Sequence, residues 1–412
     1  MPAWYRRVGR NAWWALALAG LGWTFESYDS FMLLLTLPSI SAEFGLDKIQ
    51  AGALISTTAA GQICGGIAFG YVSDRLGRVR TAFLCILIYS IFSGLIGFAP
   101  SILWLTVARF CGALGMGGTW TAGAALVAET WGPGLRGRGG ALMQMGLPCG
   151  AILAIAASAI IGLINGSLDH GAWRTLYFIG ASPAFILVFV AVRTPESPVW
   201  LARQAPANTS ATGQLGASRL LSRRDVRPAL LAFAFIFLLQ YVFWGVFNWT
   251  PTFLASVKHF DFLRSLPYVL SLQFGALSGF LVFAAFVDRW GRRPMFWAYL
   301  MVGIVAVSAY VFGPAASLIV AIFFTRFAVN GIFAGMGPFI AELIPDTPSR
   351  GFIMGLIYNG GRIGGFLAPS IIGLLASGGG GLEAGLGTTI GAFALAAGVL
   401  LFMPETKGRV IR

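Results

Sequence analysis

The stretch Gly70-Tyr71-Val72-Ser73-Asp74-Arg75-Leu76-Gly77-Arg78-Val79-Arg80 lies between two long apolar runs. It packs one acid, three arginines and two glycines into a connection too short to fold alone. A weaker copy, Val287-Asp288-Arg289-Trp290-Gly291-Arg292-Arg293, follows about half a chain later. Both read Asp-Arg-x-Gly-Arg at the junction of two apolar runs. Moving outward, other features recur at a near-constant offset. Asp74 and Asp288 are 214 residues apart, Arg109-Phe110 and Arg326-Phe327 217, Glu129 and Glu342 213, and Arg136 and Arg350 214. Thr194-Pro195-Glu196-Ser197 is echoed by Pro404-Glu405-Thr406. A shared register over five features points to a duplicated chain.

Composition identifies the solvent. The 412 residues are 57% hydrophobic and only 10% charged, against about a quarter charged in a soluble domain. So little charge cannot cover a soluble surface of this size. The 55 glycines suit membrane helices, where small residues let backbones approach closely. A membrane helix needs ~20 mostly apolar residues. Twelve stretches qualify: 13–39, 49–71, 82–99, 102–129, 138–164, 174–193, 228–254, 265–287, 294–313, 316–343, 351–377 and 385–403. The first is too long for a signal peptide, contains Glu26 and Asp29, and is expected to be retained. The one long polar connection, 194–227, reads as a soluble linker. The expected fold is therefore an all-α membrane protein, with twelve transmembrane helices in two pseudo-symmetric six-helix bundles, 1–193 and 228–412. Two parallel repeats of this kind place a substrate site near the midplane between the halves.

The basic residues set orientation. With the N-terminus inside, Lys48, Arg174, Lys258 and Arg264 fall outside, and Arg109, Arg326 and Arg362 fall within spans. Every other Lys and Arg is cytoplasmic. This predicts a multi-pass protein of the cell (inner) membrane with both termini cytoplasmic. It also accounts for the net charge of +13 without nucleic acid as a partner. The four cysteines all lie in apolar runs, so no disulfide framework is expected. His170 and His259 fall in outer loops without metal-ligand spacing. There is no phosphate-binding glycine loop and no nucleophile set, so neither an enzyme nor a cofactor is expected. The expected partners are a small-molecule substrate, a proton and the lipid bilayer, with the chain a monomer.

These residues resemble the major facilitator superfamily. Gly70–Arg80 is similar to its loop between spans two and three, and 287–293 to the degenerate copy between spans eight and nine. Arg109-Phe110-Cys111-Gly112, with Gly115, Gly117 and Gly118, resembles its fourth-span arginine motif. Pro195-Glu196-Ser197-Pro198-Val199-Trp200-Leu201 and Pro404-Glu405-Thr406-Lys407-Gly408-Arg409 look like the sugar-porter endings of spans six and twelve. The seventh span departs from sugar porters, because Gln240 stands alone where they carry two glutamines. Its ending, Asn248-Trp249-Thr250-Pro251-Thr252-Phe253-Leu254, and the acidic first span look more like proton-coupled organic-acid carriers. The resemblance implies transport by alternating access.

Charges inside a span are costly and usually line a polar cavity. Glu26 and Asp29 share one helix face. Burial and a neighbouring acid both favour a protonated carboxylate, which suits a proton carrier; the plainer alternative is a fixed pair with an arginine. Arg362 lies twelve residues beyond Arg350, ~18 Å along a helix and so near mid-membrane. Its surroundings, Tyr358-Asn359-Gly360-Gly361-Arg362-Ile363-Gly364-Gly365, combine polar groups with small residues that leave room beside a guanidinium. Arg362 is the candidate for an anionic substrate, since a guanidinium forks onto a carboxylate. The alternative is an internal pair with Glu26 or Asp29. Tyr28, Tyr358 and Trp244 are candidates to stack a ring, and Gln144, Gln240, Asn248, Asn359 and Gln273 to line the site. Gln62 and Asn330 are further amides of this kind. Arg109 and Arg326 occupy equivalent places in the repeat, which favours a structural or gating role. Asp74, Arg75, Arg78, Arg80, Glu129, Asp288, Arg289, Arg292 and Glu342 form the expected cytoplasmic gates. Asp74 is suited to face a helix N-terminus, and Arg75, Arg78 and Arg80 to pair with Glu129, Glu196 or Glu405.

The sequence thus points to proton-coupled symport of a small organic anion, a mono- or aromatic carboxylate. A sugar or polyol carrier is the alternative raised by the two endings. A non-transporting sensor or a channel fits the duplicated gates less well.

Overall fold

The computed structural model describes residues 4–169, 171–204, 223–256, 262–345, 349–377 and 381–411. Among them there are helices and no strands. The helices are α1 (Arg10–Phe44), α2 (Lys48–Leu76), α3 (Arg78–Gly97), α4 (Ile102–Thr130), α5 (Arg136–Gln144), α6 (Gly146–Asn165), α7 (Trp173–Gly180), α8 (Pro183–Arg193), α9 (Pro198–Gln204), α10 (Arg223–Ser256), α11 (Phe262–Trp290), α12 (Arg292–Phe312), α13 (Leu318–Leu343), α14 (Arg350–Leu375) and α15 (Gly381–Leu401). Across Met145, α5 and α6 continue one another, and so do α7 and α8 across Ala181 and Ser182.

Ten helical runs among the described residues are long and apolar enough to cross a membrane. The helices α1 and α14 are not among them; they carry Glu26, Asp29 and Arg362. Large apolar side chains point outward, with Leu163 85% and Val192 84% exposed. Such a surface belongs in lipid, where helices satisfy their own backbone groups.

The stretch from Gly70 to Arg80 is almost entirely helical. The turn within it is one residue, Gly77, at φ 101° and ψ 162°, a region open to glycine and closed to residues with a Cβ. Gly291, at φ 105° and ψ 170°, repeats it between α11 and α12. In each turn a distant carboxylate takes the unpaired amides at the start of the next helix. Glu196 accepts from the N–H groups of Arg78 (2.8 Å) and Val79 (3.1 Å). Glu405 accepts from those of Arg292 (3.0 Å) and Arg293 (2.8 Å). These bonds satisfy orphan donors and complement the positive end of the helix.

Several helices overrun their expected spans. The span expected at 13–39 is Arg10–Phe44, and that at 49–71 is Lys48–Leu76. Hydropathy marks only the lipid-facing part of a helix, and capping carries it further: Asp47 and Gln50 close a capping box that starts α2. Within the expected linker, Pro198–Gln204 is helical, and α10 starts at Arg223 rather than at 228. Residues 205–222, with Arg219, lie outside the described residues, as do His170, Lys258, His259 and Arg412.

In the first half, α2 packs on α4, α3 on α4 and α1 on α6; in the second, α11 packs on α13 and α10 on α14. Backbone contact drives the closest of these approaches. A Cβ on Gly65 would strike the Leu114 carbonyl, and one on Gly117 the Gln62 carbonyl. The halves meet where α14 packs on α2 and where α5 packs on α11 and α13.

Gly65→Leu should therefore destabilise by about 1–3 kcal/mol, the usual cost of overpacking. Scanning fluorimetry of the purified protein should give a lower melting temperature. Gly398→Ala, where a Cβ meets nothing within 4 Å, should leave it unchanged.

Candidate functional site

Two ion clusters of the same design sit at one end of the molecule. In the first, Arg78 donates from Nε and Nη2 to both oxygens of Glu129 (3.1 Å each) and from Nη1 to Asp74 (2.8 Å). In the second, Arg292 donates from Nε and Nη2 to Glu342 (3.0 and 2.8 Å) and from Nη1 to Asp288 (3.0 Å). Each cluster reaches into the other half. Asp74 accepts from the N–H groups of Gly351 (3.0 Å) and Phe352 (2.9 Å) at the start of α14. Asp288 accepts from those of Gly137 (3.0 Å) and Arg138 (3.1 Å) at the start of α5. Arg350 pairs with Glu129 (2.9 Å) and Arg136 with Glu342 (3.3 Å).

Arg75, Arg80 and Arg289 stand outside these clusters. All three are exposed, and none has a carboxylate partner among the described residues. Arg75 lies over the Tyr71 ring at 4.3 Å. The turn at Gly77 aims Arg78 inward, and helical geometry then directs its neighbours Arg75 and Arg80 to the outer surface. The pairing expected of three arginines with Glu129, Glu196 or Glu405 is thus made by Arg78 alone.

Deeper in the molecule, Glu26 and Asp29 take different partners. Asp29 is fully committed: Arg109 Nη1 lies 2.5 Å from its Oδ2 and Ser93 donates to its Oδ1. Arg109 is completed by the Asp29 carbonyl (3.1 Å) and Thr58 (3.0 Å). Glu26 is only loosely held. Its Oε1 is 3.8 Å from Arg362 Nη2, and its buried Oε2 has no hydrogen-bond partner. Arg362 also donates to Gln62 Oε1, and Gln62 donates to Ser30 (3.3 Å). Arg362 thus ties α14 of one half to α1 and α2 of the other, and among the described residues Glu26 is a buried carboxylate with coordination to spare.

An aromatic wall adjoins this group. The Tyr358 ring stacks on Trp120 (centroids 3.4 Å apart, 9° between planes), and Arg362 Cζ lies 5.8 Å from Tyr358. Gln144 fixes the stack by accepting from Trp120 Nε1 (2.9 Å) and donating to the Phe333 carbonyl (3.1 Å). Asn359 donates to Thr121 (3.1 Å).

Other candidates lie elsewhere. Tyr28 is buried among α7 residues and donates to the Leu176 carbonyl (3.0 Å). Asn248 is exposed. Gln240 is buried and accepts from Trp244 within its own helix (3.1 Å), and Gln273 is buried on α11. The glycines around Arg362 do not leave room beside it. Their open faces are filled by α10, with Ile236 against Gly361 and Trp244 against Gly365. Trp120, Thr121, Phe333 and Ser30 were not predicted. Trp120 sits in Gly115-Met116-Gly117-Gly118-Thr119-Trp120, where one bulky ring among small residues was a usable signal.

Comparison with known proteins adds four findings. A family model described as Major Facilitator Superfamily matches residues 12–317. The chain is 31% identical to a probable 4-methylmuconolactone transporter of Cupriavidus pinatubonensis, over 100% of this chain and 95% of that protein. It is 32% identical to the cis,cis-muconate transport protein of Acinetobacter baylyi, over 97% of each. Among solved structures, that of the proton:xylose symporter XylE matches with a TM-score of 0.82 at 18% identity, over 97% of each chain.

Asp29→Asn leaves the Arg109 guanidinium buried without its counter-charge. The expected cost is about 3–5 kcal/mol, seen as a fall in melting temperature. Glu26→Gln, at the looser pair, should lower it less.

Proposed function

The chain belongs to the major facilitator superfamily, and on that premise we propose that it is a proton-coupled symporter of a small organic anion. The family and the named relatives are transporters rather than enzymes. The protein is an integral multi-pass membrane protein. In this reading twelve spans form two pseudo-symmetric six-helix bundles, 1–193 and 228–412, joined by 194–227. The bundles rock about the Glu26–Arg362 group, and both termini face the cytoplasm, as the placement of basic residues favours.

The observation that carries the reading is the loose pair of Glu26 and Arg362, at 3.8 Å and with one carboxylate oxygen unbonded. Asp29 has no such freedom, so Glu26 is the proton carrier and Asp29 the structural partner of Arg109. Protonating Glu26 removes its hold on Arg362, and the guanidinium then forks onto the carboxylate of the cargo. Losing the proton restores the pair and displaces the anion. Proton and cargo are therefore bound together and released together. The Trp120–Tyr358 stack offers a flat apolar surface to the body of the cargo.

The clusters at Asp74 and Asp288 act as the cytoplasmic gates. In this reading the bonds they make between halves hold the cytoplasmic side closed. A sugar carrier is the weaker reading, because a polyol brings no charge to Arg362, and the two relatives are named for lactone and dicarboxylate cargo.

Reconstituted in liposomes, the protein should accumulate a labelled aromatic carboxylate when the outer medium is acidified. No pH-dependent uptake across a broad panel of acids would sink the symport model. Arg362→Lys keeps the charge and loses the fork, so affinity for the acid should fall about tenfold. Glu26→Gln should support exchange of the acid but no longer respond to a pH gradient. Asp74→Asn should weaken the closed cytoplasmic gate, read as faster hydrogen exchange of the Gly351 and Phe352 amides that Asp74 binds.

A further inference from the structure

Six arginines in the described helices are buried: Arg78, Arg109, Arg136, Arg292, Arg326 and Arg350. Five have a carboxylate within 3.3 Å. Arg326 is 2% exposed and has no carboxylate partner among the described residues; its Nε and Nη1 make no hydrogen bond. A desolvated guanidinium without a counter-charge is costly to keep.

The repeat shows what is missing. Arg109, the counterpart of Arg326, is neutralised by Asp29. The 214-residue offset that relates Asp74 to Asp288 carries Asp29 onto Phe243. The Phe243 ring lies 4.4 Å from Arg326 Cζ, and the Phe247 ring 5.1 Å. Where the first half holds a carboxylate, the second holds an aromatic face. One turn further along α13, Asn330 is fully buried and its Oδ1 has no partner.

We propose that Arg326 is the seat for a second anionic group on the cargo, which makes the preferred substrate a rigid dicarboxylate. The proposal rests on the reading that Arg362 holds an organic anion. Both arginines border one continuous aromatic wall. Arg362 adjoins Tyr358, the Tyr358 ring meets Phe333 at 6.3 Å, Phe333 meets Phe243 at 5.8 Å, and Phe243 covers Arg326. Arg362 is twelve residues from the gate end of α14 at Arg350, and Arg326 is seventeen from the gate end of α13 at Leu343. The five-residue difference is about 7.5 Å of depth along the helices, the axial part of the separation that the two carboxylates of a rigid dianion bridge. A flat unsaturated dianion thus lies along the transport axis, with one carboxylate on Arg362 and its apolar body on the rings. Its other carboxylate supplies Arg326 with the charge that Phe243 does not. Phe247, which meets Phe31 of the first half edge-on at 5.7 Å, covers the end away from the gates.

The test compares sorbate with trans,trans-muconate, which share one conjugated diene and differ at the second carboxylate. The affinity of the reconstituted protein for each is measured by counterflow. The wild-type protein should prefer muconate by at least about tenfold. Arg326→Leu should bring the ratio close to one. Phe243→Asp restores to the second half the pair of the first; it should raise the melting temperature and abolish the preference too, which guards against misfolding of the first variant. Equal wild-type affinities, or a preference that survives both substitutions, would overturn the second seat and leave the Arg362 reading standing. A wild-type protein that binds neither acid overturns both.

Discussion

A guanidinium placed in hydrocarbon is costly to keep without a counter-charge. That constraint explains most of the polar architecture. Arg78 and Arg292 fold back on acids of their own half, and Arg136 and Arg350 reach acids of the other half. Glu129 serves Arg78, Arg350 and Ser197, and Glu342 serves Arg292, Arg136 and Thr406. The sharing matters for the proposed cycle. Parting the halves takes Arg350 from Glu129 but leaves Arg78 and Ser197 in place. The acids at the interface keep a partner throughout, which lowers the barrier to opening.

The two halves share one frame and differ at its centre. In the first half α1 carries Glu26 and Asp29, and α4 carries Arg109. At the 214-residue offset the corresponding positions of α10 are Gln240 and Phe243, and α13 keeps its arginine. At the centre the first half thus supplies the acids, and the second supplies aromatic rings and the arginines Arg326 and Arg362. In the proposed function this divides the labour: one half handles the proton and the other the anion. In the same reading duplication gives the gates twice, and divergence at a few core positions gives the chemistry.

The all-helical membrane fold was legible because its signals are local. Apolar runs, the charge around Asp74 and Asp288, and the repeat offset can all be read along the chain. Partner choice was not legible, because it is set across the bundle. Glu26 and Asp29 are three residues apart, yet one faces α14 and the other α4. Tyr28, between them in sequence, points to α7. The glycines near Arg362 looked like space for a ligand and are packing faces for α10, a difference decided by a helix more than a hundred residues away in the chain. Helix ends were misjudged where caps from distant carboxylates, such as Glu196 and Glu405, extend or terminate a helix regardless of hydropathy.

The hydrogen bonds that Asp74 and Asp288 make to the opposite half go to main-chain amides, with one looser side-chain pair, Arg138 to Asp288 at 3.9 Å. An amide donor is present whatever residue stands there, proline excepted. The hydrogen bonds of each latch therefore tie only one of its two surfaces to a particular amino acid. Positions 137 and 351 are confined to glycine, since a Cβ there would meet Val287 and Asp288 or Gly70 and Asp74. At 352, and at 138 apart from its long ion pair with Asp288, these bonds tolerate other side chains. That tolerance gives the two halves of a duplicated chain latitude to diverge without losing their grip on each other.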